Sequence, residues 1–481
     1  MTKKRVIVCC IVAAVLVAFV AREIYLARFA PADIRTDYSE LINDRVQAAC
    51  APLGTPSGDY QTFVTLLAAI ESADKAVVAS LRADAPTKEV SYTALTDPAA
   101  TPEAVALAQR ALQAHRETGR LDALAALPQL VGVARMLPSN QTLFLTVVPE
   151  LQDARHVARL LAAQLSFAIR ANDPDAAARA LEQITALHVI LTHQCTMIDR
   201  LTADAILLVA FERIRDEHAA GRITGALAAR LLAILQRADQ RPPTALQLTT
   251  ERDGLLDIIQ RTHTASGRFI AREYREVLQV DSANGIAVPK MPSLLMPSRD
   301  ETEKELKEYY DLALATAQQP SRARNTSQLT TLVFSIQQRN ELLAVLLPAI
   351  DAFLVKDDHF LTQLHGVQIL LALEVHRSRT GSYPQTLAEL VPSELTAVPT
   401  DPFAKDNAFV YRRRPADATS GRPFLLYSVA QDGADNTGTS AADEQLAWAR
   451  NQAGIGYDFV INRPSPSAEK PINEPTNEPS K

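Results

Sequence analysis

The stretch RTGSYPQTLAELVPSELTAVPTDPFAKDNAFVYRRR, Arg379 to Arg414, decides the fold. Upstream of it the apolar residues recur with helical spacing, and here that period ends. Gly381 suits a left-handed helix cap, and Pro384 stops the helix from resuming. Thr386 to Leu390 has room for one short helical turn. Val391-Pro392 and Val398-Pro399 read as extended, because the proline ring crowds the residue before it. Asp401-Pro402 starts a turn, and Phe403 after it is a side chain that needs burial. Ala408 to Arg412 then alternates with the period of a strand. A period that switches from 3.6 to 2 predicts a helix laid on a small sheet. The basic run Arg412, Arg413, Arg414 reads as a solvated guard on the sheet edge.

Downstream, Phe424 to Val429 reads as a second strand and Tyr457 to Ile461 as a third. Asp432-Gly-Ala-Asp-Asn-Thr-Gly438 between them is a tight polar loop. Residues 358-463 are therefore expected to form an α+β module, helix on antiparallel sheet, and a fragment from about 350 to 463 is expected to fold alone. The tail 464-481 is proline-rich and polar and is expected to be disordered.

Upstream, the chain is rich in alanine and leucine and only 5% aromatic, which favours helix over sheet. From about residue 35 to 280 the pattern has period 3.6. Val157, Leu161, Leu165 and Ala168 make one stripe, and Ala177, Leu181, Ile184 and Leu191 the next. Asn172-Asp173-Pro174-Asp175 separates them, with Pro174 at a first helical position after an Asp cap. Another helix over about Leu201 to His218 ends at Ala220-Gly221-Arg222, and Thr224 to Arg237 is its partner. The expected fold class is mainly α: a helical bundle or irregular αα-hairpin array, followed by the α+β module. The expected divisions are 31-280 for the helical domain, 281-300 for a linker and 301-357 for a helical connector. Asp300 with Glu303 reads as the cap that restarts the helix.

At the N-terminus Lys3, Lys4 and Arg5 precede an uncharged apolar run, Val6 to Ala21. Basic then apolar is the layout of a signal anchor. The run is shorter than the ~20 residues of a span, but Ile24, Tyr25 and Leu26 extend it and flanking cations can snorkel. Small residues are missing at the positions a signal peptidase reads, so residues 1-30 are expected to be a retained anchor. The positive-inside rule then leaves the N-terminus in the cytoplasm and the bulk of the chain outside. The expected location is the inner (cytoplasmic) membrane, crossed once. Cys50 and Cys195, the two cysteines beyond the apolar run, would then face an oxidising compartment and are candidates for a disulfide.

Three segments taken in order carry a resemblance: LLALEVHRSRTGSYPQTLAELV, VPTDPFAKDNAFVYR and FLLYSVAQDGADNTG. Together, over roughly 365 to 463, they resemble the globular domain of type II secretion major pseudopilins. In that family a helix ends at G-x-Y-P, a DP-aromatic turn enters a strand, and an LYS-x-G-x-DG loop follows. The resemblance implies a pseudopilin-like fold for the module. It also implies calcium in the loop after LYS, which by position falls to Asp432, Asp435 and Asn436. Oxygen ligands suit that ion. By their own chemistry the same residues read as a plain Asp, Asn and Gly surface turn. The whole chain also resembles uncharacterised membrane-anchored bacterial proteins, which implies no activity.

No reaction is legible. G-x-S-x-G, H-E-x-x-H, the Walker loop and G-x-G-x-x-G are all missing from the sequence. His188 and His193 are five apart, and His365 and His376 eleven apart, so neither pair has metal-ligand spacing on a helix. A net charge of -6 gives no footprint for nucleic acid. The expected function is non-enzymatic: a membrane-anchored extracytoplasmic scaffold or interaction protein of the cell envelope, allied to secretion or pilus-like machinery, with envelope partners. The alternative is an extracytoplasmic hydrolase with its site in the helical domain. A concave pocket with convergent polar groups and perturbed carboxylates would favour the hydrolase.

Overall fold

A computed structural model describes residues 30–84, 92–95, 100–119, 121–143, 148–277, 295–414, 422–440 and 456–462, with isolated positions at 17–29 and 90. Most of the expected anchor, residues 281–294 of the expected linker, and the tail lie outside the described residues. Among the described residues no helix is long and apolar enough to cross a membrane.

Thirteen α-helices are described, in this order: α1 Tyr38–Cys50, α2 Tyr60–Asp84, α3 Pro102–Glu117, α4 Glu150–Arg170, α5 Pro174–Thr192, α6 Met197–Ala219, α7 Gly225–Leu235, α8 Ala245–Arg261, α9 Ala271–Val277, α10 Arg299–Ala317, α11 Ser327–Gln337, α12 Glu341–Leu346 and α13 Ile350–Thr380. Strands β1 Val410–Arg413, β2 Phe424–Ser428 and β3 Phe459–Val460 follow. They form one antiparallel sheet in the order β1-β2-β3. Val410 pairs with Tyr427 and Arg413 with Phe424, while Tyr427 also pairs with Val460. Mainly α with a small C-terminal antiparallel sheet is therefore what the chain forms.

The helix ends follow local chemistry. Asp173 caps α5 through Ala176 N, with Pro174 as the first helical residue. Gly381 ends α13 in the left-handed region at φ 82°, where a Cβ would be strained. Thr386 and Glu389 make a capping box on the short turn Leu387–Leu390. One cap differs from expectation. Ser298, not Asp300, starts α10, because Ser298 stands in extended backbone and exchanges hydrogen bonds with Glu301 three residues on. Glu303 instead accepts from Arg299 Nε at 2.7 Å.

Two apolar cores do not follow the expected divisions. The larger runs from Phe63 to Ile461 and joins α2 to α7 with Phe409, just before β1, and the sheet residues Phe424, Leu426 and Phe459. The second joins Leu248, Ile258 and Tyr274 to Tyr309, Leu343 and Phe353. It thus spans the segment 281–300 that was expected to separate two units. The helix α13 connects both cores, with Ile350, Phe353 and Leu354 in the second and residues from Phe360 on in the first. At 31 residues it is about 46 Å long.

The sheet of the module also shares its core with the helical body. α13 packs against α6 and α7 as well as against β2 and the short Leu387 turn. Two glycines allow this approach: a Cβ on Gly225 would lie 2.1 Å from Ser378 Cβ, and one on Gly366 2.3 Å from Ile461 Cδ1. Phe403 is buried as expected, but in a small satellite cluster with Ala404 and Val429, its ring 4.8 Å from that of His359.

Cys50 and Cys195 are free thiols, both buried in one apolar cluster with Ile42, Val46, Leu137 and Leu143. The disulfide for which they were candidates is not formed in this structure, and burial pushes each thiol up to about 11. His188 and His193 are structural: each Nδ1 meets a backbone carbonyl, of Ala203 at 3.0 Å and of Val189 at 2.7 Å.

Candidate functional site

The loop singled out for calcium is closed by its own chain. Asp435 Oδ1 accepts from Tyr427 OH at 2.6 Å and Thr437 N at 2.8 Å, and its Oδ2 accepts from Arg412 at 2.8 Å. The Tyr427 hydroxyl, more than any other contact, holds the Asp435 carboxyl below its ordinary range. Asp432 accepts from Ala434 N at 3.0 Å and Gly456 N at 2.7 Å. The side chain of Asn436 donates to Ala434 O, and its backbone N–H donates to Asp458 Oδ1 at 3.2 Å. Asp458, which the sequence did not bring to notice, accepts from Gly438 N as well, at 2.6 Å.

Calcium takes 6–8 oxygens at once. Here Asp435 and Asn436 lie near Asp458, but Asp432 turns to the rim of a different pocket, beside Ser321 and Asp358. Arg412 already supplies the positive charge next to Asp435. Among the described residues no three His, Cys, Asp or Glu side chains converge as a metal site. As folded, the described part of the loop spends its carboxylate oxygens on the chain's own donors. Arg412 is thus more than an edge guard; it ties β1 to the loop.

Polar groups converge on a cavity at the helix–sheet junction. A cleft of about 430 Å³ opens between the end of α6, α13 and the sheet. His218, Glu374, Arg377, Tyr383, Arg422 and Asn462 line it. Glu374 is its centre. Its Oε1 accepts from His218 Nε2 at 2.9 Å and from the Tyr383 hydroxyl, and its Oε2 from Arg377 Nε at 2.9 Å. Burial pushes the Glu374 carboxyl up, but His218, Tyr383 and Arg377 outweigh it and bring the carboxyl below its usual range. Burial and the same carboxylate push the Tyr383 phenol up. The acid is ionised and saturated by donors.

Local sequence explains how these groups meet. The cap at Gly381 folds Tyr383 back over the last turns of α13, where its hydroxyl reaches Glu374 nine residues earlier. Gly221, at φ 69°, ends α6 just after His218. Asn462 clips β2 to the end of β3, accepting from Leu426 N at 2.8 Å and donating to Phe424 O at 2.6 Å. Arg422 donates to Asn462 O at 3.3 Å. The G-x-Y-P signal marked Tyr383 as a turn residue. His218 and Glu374 carried no signal, because 156 residues separate them and each looks like an ordinary polar position on its own helix.

A second carboxylate also gathers donors. Asp74 Oδ1 lies 2.7 Å from His115 Nε2, its Oδ2 lies 2.8 Å from His156 Nε2, and the Tyr92 hydroxyl donates to it too. Burial opposes the charge on Asp74, yet these three donors hold its carboxyl well below the usual range. One side chain thereby pins α2, α3, α4 and the short Tyr92–Leu95 turn.

Searches of protein families, of curated proteins and of solved structures find nothing that matches the chain.

Proposed function

We propose that this chain is a membrane-anchored scaffold or interaction protein on the outer side of the cytoplasmic membrane, allied to secretion or pilus-like machinery. One observation carries the reading. The C-terminal sheet is built into the helical body, with the Arg215 guanidinium buried against the end of β3 and α13 running through both apolar cores. A body braced in this way suits holding partners at fixed positions. The basic-then-apolar N-terminus supports the anchor, and the order of G-x-Y-P, DPF and LYS motifs supports the link to pseudopilin-type assemblies.

The hydrolase reading has two observations in its favour: the Glu374–His218 pair lining one cleft, and Asp358, which burial pushes up to about 6, lining another. Against it, the carboxylate of that pair is already saturated by three side chains.

Photo-crosslinking in native membranes decides between them. A crosslinkable residue at the exposed position Phe334 or Val345 is expected to give discrete adducts with envelope proteins. Recovery of the chain in the soluble fraction overturns the anchor. Turnover of ester, phosphoester or peptide substrates by the purified full chain, lost in Glu374→Gln, overturns the scaffold.

A further inference from the structure

We infer that the cavity between α13, the segment after α10 and the loop after β2 binds a neutral polyhydroxylated molecule, one sugar unit of a glycan, through the Asp358 carboxylate and the Thr326 hydroxyl. The inference stands apart from the scaffold reading and does not depend on it.

The cavity holds about 240 Å³. α13 supplies Asp358, the segment after α10 supplies Ser321, Arg324 and Thr326, and the loop after β2 supplies Gln431. The Asp358 side chain is 5% exposed. Its Oδ2 accepts from the Ser321 hydroxyl at 2.6 Å and from Arg324 Nη1. Arg324 is itself fixed to the end of α10, through Nε to Gln319 O at 3.1 Å and Nη2 to Ala317 O at 3.3 Å. The carboxylate is therefore held in one orientation before any ligand arrives, as a binding group should be.

The other oxygen is the unused one. Asp358 Oδ1 accepts from no described donor, yet it is not among the enclosed atoms, so it is open to the cavity that the residue lines. Burial pushes the Asp358 carboxyl up to about 6, against Arg324 and Ser321. At neutral pH it is ionised, and an ionised carboxylate only accepts. Oδ1 thus calls for a ligand that donates a proton to a hydrogen bond.

Thr326 supplies an independent observation. It stands at the cap position of α11, but its side chain makes no cap hydrogen bond. It lines the same cavity, with a hydroxyl that can both donate and accept.

Charge decides the class of ligand. Arg322 and Arg324 line the cavity along with Asp358 and Asp432. A cation would meet the guanidiniums and an anion the carboxylates, so a neutral donor is favoured over either. Adjacent hydroxyls on a sugar ring suit the two free groups, since one can donate to Asp358 Oδ1 while another pairs with Thr326. Phe403 also lines the cavity and gives an apolar surface for the C–H groups of such a ring.

The test is saturation-transfer NMR on the full chain, solubilised in a detergent without a sugar headgroup, with methyl α-D-glucopyranoside and, separately, with N-acetyl-D-glucosamine. Saturable binding of at least one probe below about 20 mM is expected. Binding of the second probe alone assigns an acetamido sugar. Asp358→Asn is expected to weaken binding at least about tenfold, as loss of a hydrogen bond to a charged group does. Thr326→Val is expected to weaken it about fivefold and to leave the melting temperature near that of the parent, because its hydroxyl caps nothing. Should Asp358→Asn fail to fold, Thr326→Val carries the test by itself. Lack of saturable binding of both probes overturns the inference. So does binding that is unchanged in a folded Asp358→Asn, or unchanged in Thr326→Val.

Discussion

Arg215 Nε donates to the backbone carbonyl of Ile461 at 2.8 Å, joining a helix from mid-chain to the end of the last strand. Its Nη2 reaches the neighbouring Val460 carbonyl at 2.6 Å, and the guanidinium lies 4.9 Å from the centre of the Phe459 ring. The residue is 1% exposed. Both carbonyls lie at the end of the two-residue strand β3, and one buried side chain donates to each. Lysine has one compact charge and cannot span both carbonyls, so Arg215→Lys is expected to cost about 1–3 kcal/mol. Arg215→Ala removes the donors altogether and is expected to cost about 3–5 kcal/mol. Urea unfolding of the full chain measures both, and an unchanged midpoint in Arg215→Ala would show that β3 does not depend on this contact.

The same joint predicts the behaviour of the C-terminal piece in isolation. A fragment from residue 350 to 463 keeps the sheet and α13 but loses α6 and α7. Phe360, Leu364, Val367 and Leu370, all buried in the larger core, would then lack that cover. Such a fragment is expected to be aggregation-prone or to lack a cooperative transition, with weak near-ultraviolet dichroism. A sharp thermal transition would restore the reading of this region as an independent module.

The helix ends and the switch to strand were legible because they are local. Gly381, Pro174 after Asp173, and Thr386 with Glu389 each act within a few residues, so their chemistry can be read in order. The strands came out within a few residues for the same reason. The integration of the sheet was not legible. It depends on Arg215 meeting Ile461 and on Gly366 and Gly225 letting neighbours approach α13, contacts between positions far apart in the chain. The calcium loop shows the complementary limit. Asp432, Asp435 and Asn436 have suitable oxygens, but whether those oxygens are free depends on Tyr427, Arg412 and Gly456, which the loop sequence does not contain. The cleft was missed because its central acid, Glu374, has no sequence neighbour that marks it.

Gly225 is the first residue of α7, and an added Cβ there would lie 2.1 Å from Ser378 Cβ on α13. That neighbour is fixed to its own backbone and cannot swing away. Alanine is the better helix former, so propensity by itself predicts that Gly225→Ala stabilises. The contact predicts the opposite, a loss of about 1–3 kcal/mol as α7 is pushed off α13. Ser378→Gly removes the opposing Cβ and is expected to recover much of that loss in the double variant. A double-mutant cycle by chemical denaturation reads the coupling directly, and additive effects would mean that the two helices do not meet at this point.

Asp204 predicts how stability changes with pH. It lies among Arg200, Arg241, Asp357 and His188, where the two arginines make their hydrogen bonds to Asp357, at 2.9–3.1 Å. Asp204 is left 3.6 Å from Arg241, 3.8 Å from His188 Nδ1 and 3.9 Å from Arg200, and neither of its oxygens has a hydrogen-bond partner among the described residues. Burial pushes its carboxyl up from 3.8 to about 7, with the arginines opposing. Below pH ~4 the acid is protonated in both folded and unfolded chains and makes no pH-dependent difference. Between about 4 and 7 only the unfolded chain releases the proton, so stability falls as pH rises, by about 1.4 kcal/mol per unit at most. Above about 7 the loss is complete, on the order of 4 kcal/mol for a shift of this size. Asparagine has the shape of the protonated acid and cannot ionise. Asp204→Asn is therefore expected to match or fall slightly below the parent at pH 4, to gain on it through pH 5 and 6, and to exceed it at pH 8. Burial also raises Asp358, Asp401 and Glu251, but they act in both chains and cancel in the comparison. Urea midpoints for parent and variant at pH 4, 6 and 8 measure the effect, and a stability difference that stays constant across that range would mean that Asp204 keeps its charge in the folded protein.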